Sequence, residues 1–170
     1  MNKEQAIRQI VTSLDAEISL YTRYRALVEE ELESVKKFNV PNSQTCAEKR
    51  EKLCLLIARE REKRATPIES LASGDVYPNL TALVKAHTEG NDRALLLRKI
   101  EDLRKIVTDT RRLNTTLSLS VEYSLGLISS KASIVRSASH EVQREYTIHG
   151  NIRESVHPVA SRSGGTLRQA

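Results

Sequence analysis

Few residues in this 170-residue chain combine a reactive side chain with a spacing that chemistry could use. The histidines are His87, His140, His149 and His157, and none has a second His or Cys three or four positions away to place two metal ligands on one helix face. Cys46 and Cys54 are eight residues apart. On one helix their Cα atoms would lie ~12 Å apart, beyond the ~7 Å that a disulfide spans, and without a companion ligand they make no zinc set. Gly126-Leu-Ile-Ser-Ser-Lys131 has the outline of a phosphate loop but lacks the second glycine before the lysine and continues a helical pattern. There is no Gly-x-Ser-x-Gly elbow, dinucleotide glycine fingerprint or His-Glu-x-x-His pair, and the carboxylates are scattered along charged faces. The expectation is therefore a protein that is not an enzyme and uses no metal or cofactor. What the residue types do suit is apolar recognition. Ile148, Ile152, Val156 and Val159, with Tyr146 just before them, are spaced to share one helix face in a segment too short to be a stable helix alone, which reads as an arm that orders on contact.

The elements that would position such an arm are long helices. From Asn91 to about Ser139, one set of positions at sevens reads Ile100, Val107, Asn114, Val121, Ile128 and Val135, and a companion set reads Leu96, Leu103, Thr110, Leu117 and Ser124. Alternating spacings of three and four make an apolar seam on one face of a helix that would extend roughly 70 Å. That seam requires a partner. Asn114 stands where Ile or Val otherwise stand, and an amide in a heptad core sets register at some loss of stability.

A first helix over residues 3–38 carries Ile7, Leu14, Tyr21, Val28 and Val35 at strict sevens, with Val11, Ile18 and Leu32 four residues after their partners and Arg25 as the interruption. Asn39-Val-Pro41-Asn-Ser ends it. Thr45 and Glu48 have capping-box spacing, which predicts the start of a second helix returning antiparallel through Leu53, Leu56 and Ile57 to about Arg64. Thr66-Pro67-Ile-Glu69 predicts a break or restart, and the turn residues of 73–75 and 77–79 predict a loop. A short apolar helix, Leu80 to His87, should cover one end of the bundle, with Asn91 capping the final helix.

Composition agrees with an all-α chain: aromatics are 4%, Trp is absent, and there are only 6 Gly and 4 Pro. The expected fold is an elongated antiparallel helical bundle, a coiled-coil-like hairpin with a very long C-terminal helix. Residues 1–139 would form the bundle and 140–170 a flexible C-terminal arm rather than a separate folded domain. The net charge of +5 and pI near 9.3 come from 27 basic residues interleaved with 22 acidic ones, and Arg59-Glu-Arg-Glu-Lys-Arg64 alternates in sign as a solvated helix face does. No nucleic-acid partner is expected from so mixed a surface. No apolar run reaches the ~18 residues of a membrane span and the N-terminus lacks a secretory core, so the expected location is the cytoplasm without stable membrane insertion.

Over most of its length, and better in its final two-thirds, the chain resembles the FlgN family of flagellar type III export chaperones. The resemblance is carried by Ala47-Glu48-Lys49 on the returning helix and by Leu113-Asn114 followed by Leu117, Leu119 and Val121 on the long last helix. Tyr146 followed by Gly150, and the Ser/Arg/Gly-rich Ser161 to Gly165, complete it. Thr115-Thr116 stands where the family often has a second Asn. The resemblance implies a cytoplasmic chaperone that binds hook-filament junction proteins through its C-terminal segment, prevents their premature assembly and delivers them to the flagellar secretion apparatus. It also implies that Tyr146, Ile148, Gly150, Ile152 and Val156 form the client-binding arm, supported by Ile128 and Val135. The export ATPase or gate components are further partners within its scope. A homodimer is compatible with that chaperone; the alternative reading is a structural scaffold that self-associates through its heptad seams into a stable tetramer or filament.

Overall fold

The structure, a computed structural model, describes residues 2–72, 74–142, 144–146 and 152–154. The fold is all-α: α1 (Lys3–Lys36), α2 (Val40–Ala72), α3 (Leu80–His87) and the very long α4 (Gly90–Val142). They are followed by two three-residue strands, β1 (Arg144–Tyr146) and β2 (Ile152–Glu154), paired antiparallel. The chain divides into two compact units, Met1–Leu125 and Gly126–Ala170.

In the first unit α1 and α2 form an antiparallel hairpin, and α4 lies parallel to α1. The pairings fix these directions: Ser13 Oγ donates to the Glu60 carbonyl while Asn42 reaches Ser34, and Asp15 pairs with Lys99 while Tyr24 meets Asn114. Ile7, Ile10 and Leu14 of α1 pack with Leu96 of α4, Leu71 and Ala72 of α2, and Leu83 and Val84 of α3. This is the larger core, and α3 closes it as expected. A second cluster joins Val28 and Val35 to Leu117, flanked by Leu32, Leu113 and Val121.

The heptad lines explain these packings, with one addition. Beside the apolar stripe on α1 runs a third line at strict sevens, Ile10, Glu17, Tyr24 and Glu31, whose two carboxylate residues are buried. The facing seam of α2, spaced alternately by four and three, reads Cys46, Arg50, Leu53, Ile57, Glu60, Arg64, Pro67 and Leu71. Its arginines, with Arg61 flanking the seam, meet the α1 carboxylates: Glu17 Oε1 and Oε2 pair with Arg61 Nε at 2.8 Å and Arg64 Nη1 at 2.7 Å, and Glu31 pairs with Arg50. The hairpin is thus clamped by ion pairs to two buried carboxylates. Such pairs contribute specificity more surely than net stability.

Several boundaries differ from expectation. The first helix stops at Lys36 instead of 38, in a Schellman turn in which Asn39 N–H donates to the Ser34 carbonyl at 2.8 Å and Phe38 N–H to that of Val35 at 3.0 Å. Phe38 takes the left-handed position at φ 55°, where glycine is usual. The second helix starts at Val40, not Thr45. Asn39 supplies its cap by accepting from Asn42 N–H, Pro41 sits in the first turn where no N–H is needed, and Thr45 bonds back to the Pro41 carbonyl. Nor does the helix break at Pro67, which is buried within it. An interior proline costs about 3 kcal/mol, here offset by the burial of Pro67, Leu71 and Ala72.

Asn79 caps α3 by accepting from Ala82 N–H at 2.9 Å. The final helix begins at Gly90, φ 57°, so Asn91 lies in its first turn and is not its cap. Arg93 ties the junction by donating to the carbonyls of Thr88 and Lys85 at the C-terminal end of α3. No helix among the described residues is long and apolar enough to cross a membrane.

Candidate functional site

Two features carry recognition chemistry, one in each unit. In the first unit, Arg50 stands on the α2 seam facing α1 and α4. Its Nε lies 2.7 Å from Glu31 Oε2 in a charge contact too bent for a good hydrogen bond, so that neither atom has a hydrogen-bond partner among the described residues. Its Nη1 donates to the Tyr24 hydroxyl at 3.2 Å and to Asn114 Oδ1 at 3.3 Å, and the guanidinium rests over the Tyr24 ring at 5.7 Å. Asn114 Nδ2 donates to the same hydroxyl at 3.4 Å. Burial is the strongest influence on Arg50 and lowers its pKa, but the Tyr24 hydroxyl and the Glu31 carboxylate together outweigh it and hold the pKa above its usual value. The cation is secure.

Asn114 therefore does more than occupy a seam position: its amide meets both α1 and α2, at the one level where the three helices share a polar contact of this kind among the described residues. Around this group opens a cleft of about 400 Å³, bordered on the α4 side by Leu117, Ser118, Val121 and Glu122. Sequence reasoning missed Tyr24, Glu31 and Arg50. The available signal was the line Glu17, Tyr24, Glu31 at strict sevens beside the apolar stripe. Polar residues read singly as solvent-facing hid it.

In the second unit, the described part of α4 presents apolar residues to solvent. Ile128 is 49% exposed, Ile134 68% and Val135 66%. In the first unit, by contrast, the α4 seam is covered: Leu96, Thr110 and Leu117 are buried, with Ile100, Leu103, Val107 and Val121 partly so. Gly126 lies inside the helix with nothing within 4 Å of where a Cβ would stand, so it marks no close approach.

Of the residues expected in a C-terminal arm, Tyr146 and Ile152 are paired across the β1–β2 ladder. Ile152 therefore lies on an extended strand, with a period of two, and not on the helix face expected for it with Ile148, Val156 and Val159. Ile148, Gly150 and Val156, together with Val159 and the 161–165 segment, lie outside the described residues. Ile128 and Val135 lie on described helix. Among the described residues no group of three or more His, Cys, Asp or Glu could hold a metal ion. Compared with known proteins, the chain matches no family model, no curated protein and no solved structure.

Proposed function

We propose that this protein is an export chaperone of the FlgN type, which masks the apolar helices of hook-filament junction proteins and presents them to the flagellar secretion apparatus. The observation that carries the reading is the apolar exposure of α4 in the second unit. Ile128 and Ile134 show about half or more of their surface to water on a helix whose earlier seam is covered. Exposed large apolar side chains clustered on one short stretch mark a surface for another macromolecule. A client helix with its own 3–4 apolar spacing would cover that stretch as one coiled-coil partner covers another. Masking is the chemistry: covering a self-associating helix until transfer needs no catalytic group. Tyr146, Ile148, Gly150, Ile152 and Val156 extend the client-binding segment in this proposal.

The test is light scattering after gel filtration of the protein mixed with hook-filament junction proteins of the same organism. The expected outcome is a defined complex with the full chain, weakened at least ~10-fold by Ile128→Asp or Ile134→Asp, since burying an unpaired charge costs several kcal/mol. It should be lost when the chain ends before Tyr146. A large defined oligomer of the protein alone, indifferent to junction proteins, would replace this reading with the self-associating scaffold.

A further inference from the structure

We propose that the cleft around Arg50 is a receptor for a primary carboxamide, the side chain of a Gln or Asn on a partner helix laid along α4. The inference rests on the chaperone reading only for who supplies that helix. Its chemistry comes from the cleft.

The inward wall is rich in hydrogens that have no acceptor. The Tyr24 hydroxyl oxygen takes bonds from Arg50 and Asn114, yet its own hydrogen has no acceptor among the described residues. Arg50 holds Nε against Glu31 in a charge contact and gives Nη1 to Tyr24 and Asn114, leaving Nη2 without a hydrogen-bond partner among the described residues. Ser118, exposed on the α4 border of the cleft, is a third case. Thr115, Thr116 and Ser120 around it bond back to carbonyls one turn earlier, whereas the Ser118 hydroxyl makes no such bond among the described residues. The internal bonds of 3.2–3.4 Å are at or beyond the long end of the usual range, so the donors are loosely held and free to turn to a better acceptor.

Charge selects among acceptors. Arg50 contributes +1, and Glu31 and Glu122 each −1, so the cleft carries a net −1. A carboxylate would meet the donors but raise the net charge to −2 with Glu31 already buried. A cation would suit Glu122, but the one inner-wall acceptor without a hydrogen-bond partner among the described residues, Glu31 Oε2, lies 2.7 Å from Arg50 Nε, so a cation reaching it would meet the guanidinium. A carboxamide serves both ends: its oxygen takes the hydrogens of Tyr24 and Arg50, its NH2 gives to Glu122 at the rim, and the added charge is zero. The methylenes of a glutamine would lie on Leu117 and Val121.

A side chain on a helix, and not a free metabolite, is indicated by what borders the cleft. Leu125 lies one turn beyond Val121 on the same face of α4 and is 58% exposed, so an apolar residue of the partner one turn from its amide would cover Leu125.

The test uses the full-length 15N-labelled protein and three probes that share a propyl chain: butyramide, butyrate and butylammonium. The Arg50 Nε–H and Asn114 Nδ2 signals report the cleft directly. Expected is a saturable shift with butyramide only, in the millimolar range that a six-atom ligand allows, and weakened about 3- to 10-fold by Tyr24→Phe, which keeps the ring beneath Arg50 and removes the hydroxyl. Ser118→Ala, an exposed position that leaves the bundle untouched, should weaken it as well. Equal responses to all three probes, a preference for butyrate, or no effect of either variant would overturn the carboxamide assignment. So would a client complex that forms normally while butyramide gives no saturable shift, and that result would leave the chaperone reading standing. Butyramide binding together with a client affinity indifferent to Tyr24→Phe would overturn the partner-helix assignment.

Discussion

At the scale of residues, the hairpin depends on a few buried charges more than on its many surface ones. Glu17 is 1% exposed and satisfied from two sides by Arg61 and Arg64. Arg64→Met removes the less exposed partner and leaves a buried carboxylate half-paired, so the expected cost is about 3 kcal/mol. Lys63→Met, next to it but paired with Glu60 on the surface, should cost no more than about 0.5 kcal/mol. Thermal melting of the two variants checks the contrast. The thiols should differ in the same spirit. Cys46 is buried, and burial first, then Glu30, pushes its pKa above 9.0, while Cys54 is exposed. A thiol reagent at neutral pH should modify one equivalent rapidly, at Cys54, and the second only as the fold opens. Two equal fast phases would show that Cys46 is accessible.

At the scale of elements, two positions hold their helices in conformations their side chains do not favour. Phe38 occupies a left-handed Schellman position while half exposed, so Phe38→Gly removes backbone strain and loses little packing. It should stabilise by about 1 kcal/mol, raising Tm by ~2–4 °C. Gly126 is the reverse case, a glycine in a helix interior with open space where a Cβ would go. Gly126→Ala should stabilise α4 locally by about 1 kcal/mol, seen as slower amide exchange in the turns on either side. A destabilising Gly126→Ala would show that the client or another chain approaches that backbone closely. The continuity of α2 through Pro67 belongs at this scale too: local signals favoured a restart, and the packing of Leu71 and Ala72 into the larger core overrode them.

At the scale of the whole molecule, alkaline pH should be the condition that loosens the fold. Burial raises both Cys46, from 9.0, and Tyr21, from 10.0, and burial is the largest cause for each. A group whose folded pKa lies above its unfolded value favours the folded state fully while protonated in both. That contribution is complete below the unfolded pKa and declines as pH rises through the window up to the folded one. Stability should therefore be level with respect to these two groups up to about pH 9 and fall above it. In Cys46→Ala the onset should move up toward pH 10, where Tyr21 and Tyr77, both raised from 10.0, remain. Urea midpoints across pH 8 to 11 test this. An onset unchanged by Cys46→Ala would assign the decline to other groups.

What the sequence alone determined was the helical class, the position of the short α3, and the apolar seams of α1 and α4, because those follow from composition, turn residues and a period of 3.5, all local properties. The boundaries at Val40 and Gly90 escaped because several cap candidates stood within a few residues, and which one serves depends on the partner that the following helix meets. Only the tertiary structure decided where polar residues enter the seams. Glu17, Tyr24 and Glu31 look like surface until Arg50, Arg61 and Arg64 are brought opposite them from 19 to 47 positions later. It also decided which described part of one heptad pattern is buried and which exposed, since Leu117 and Ile128 are both apolar seam residues, yet Leu117 is buried and Ile128 about half exposed. Periodicity states that a face is apolar; a neighbour must be present in space before that face becomes buried.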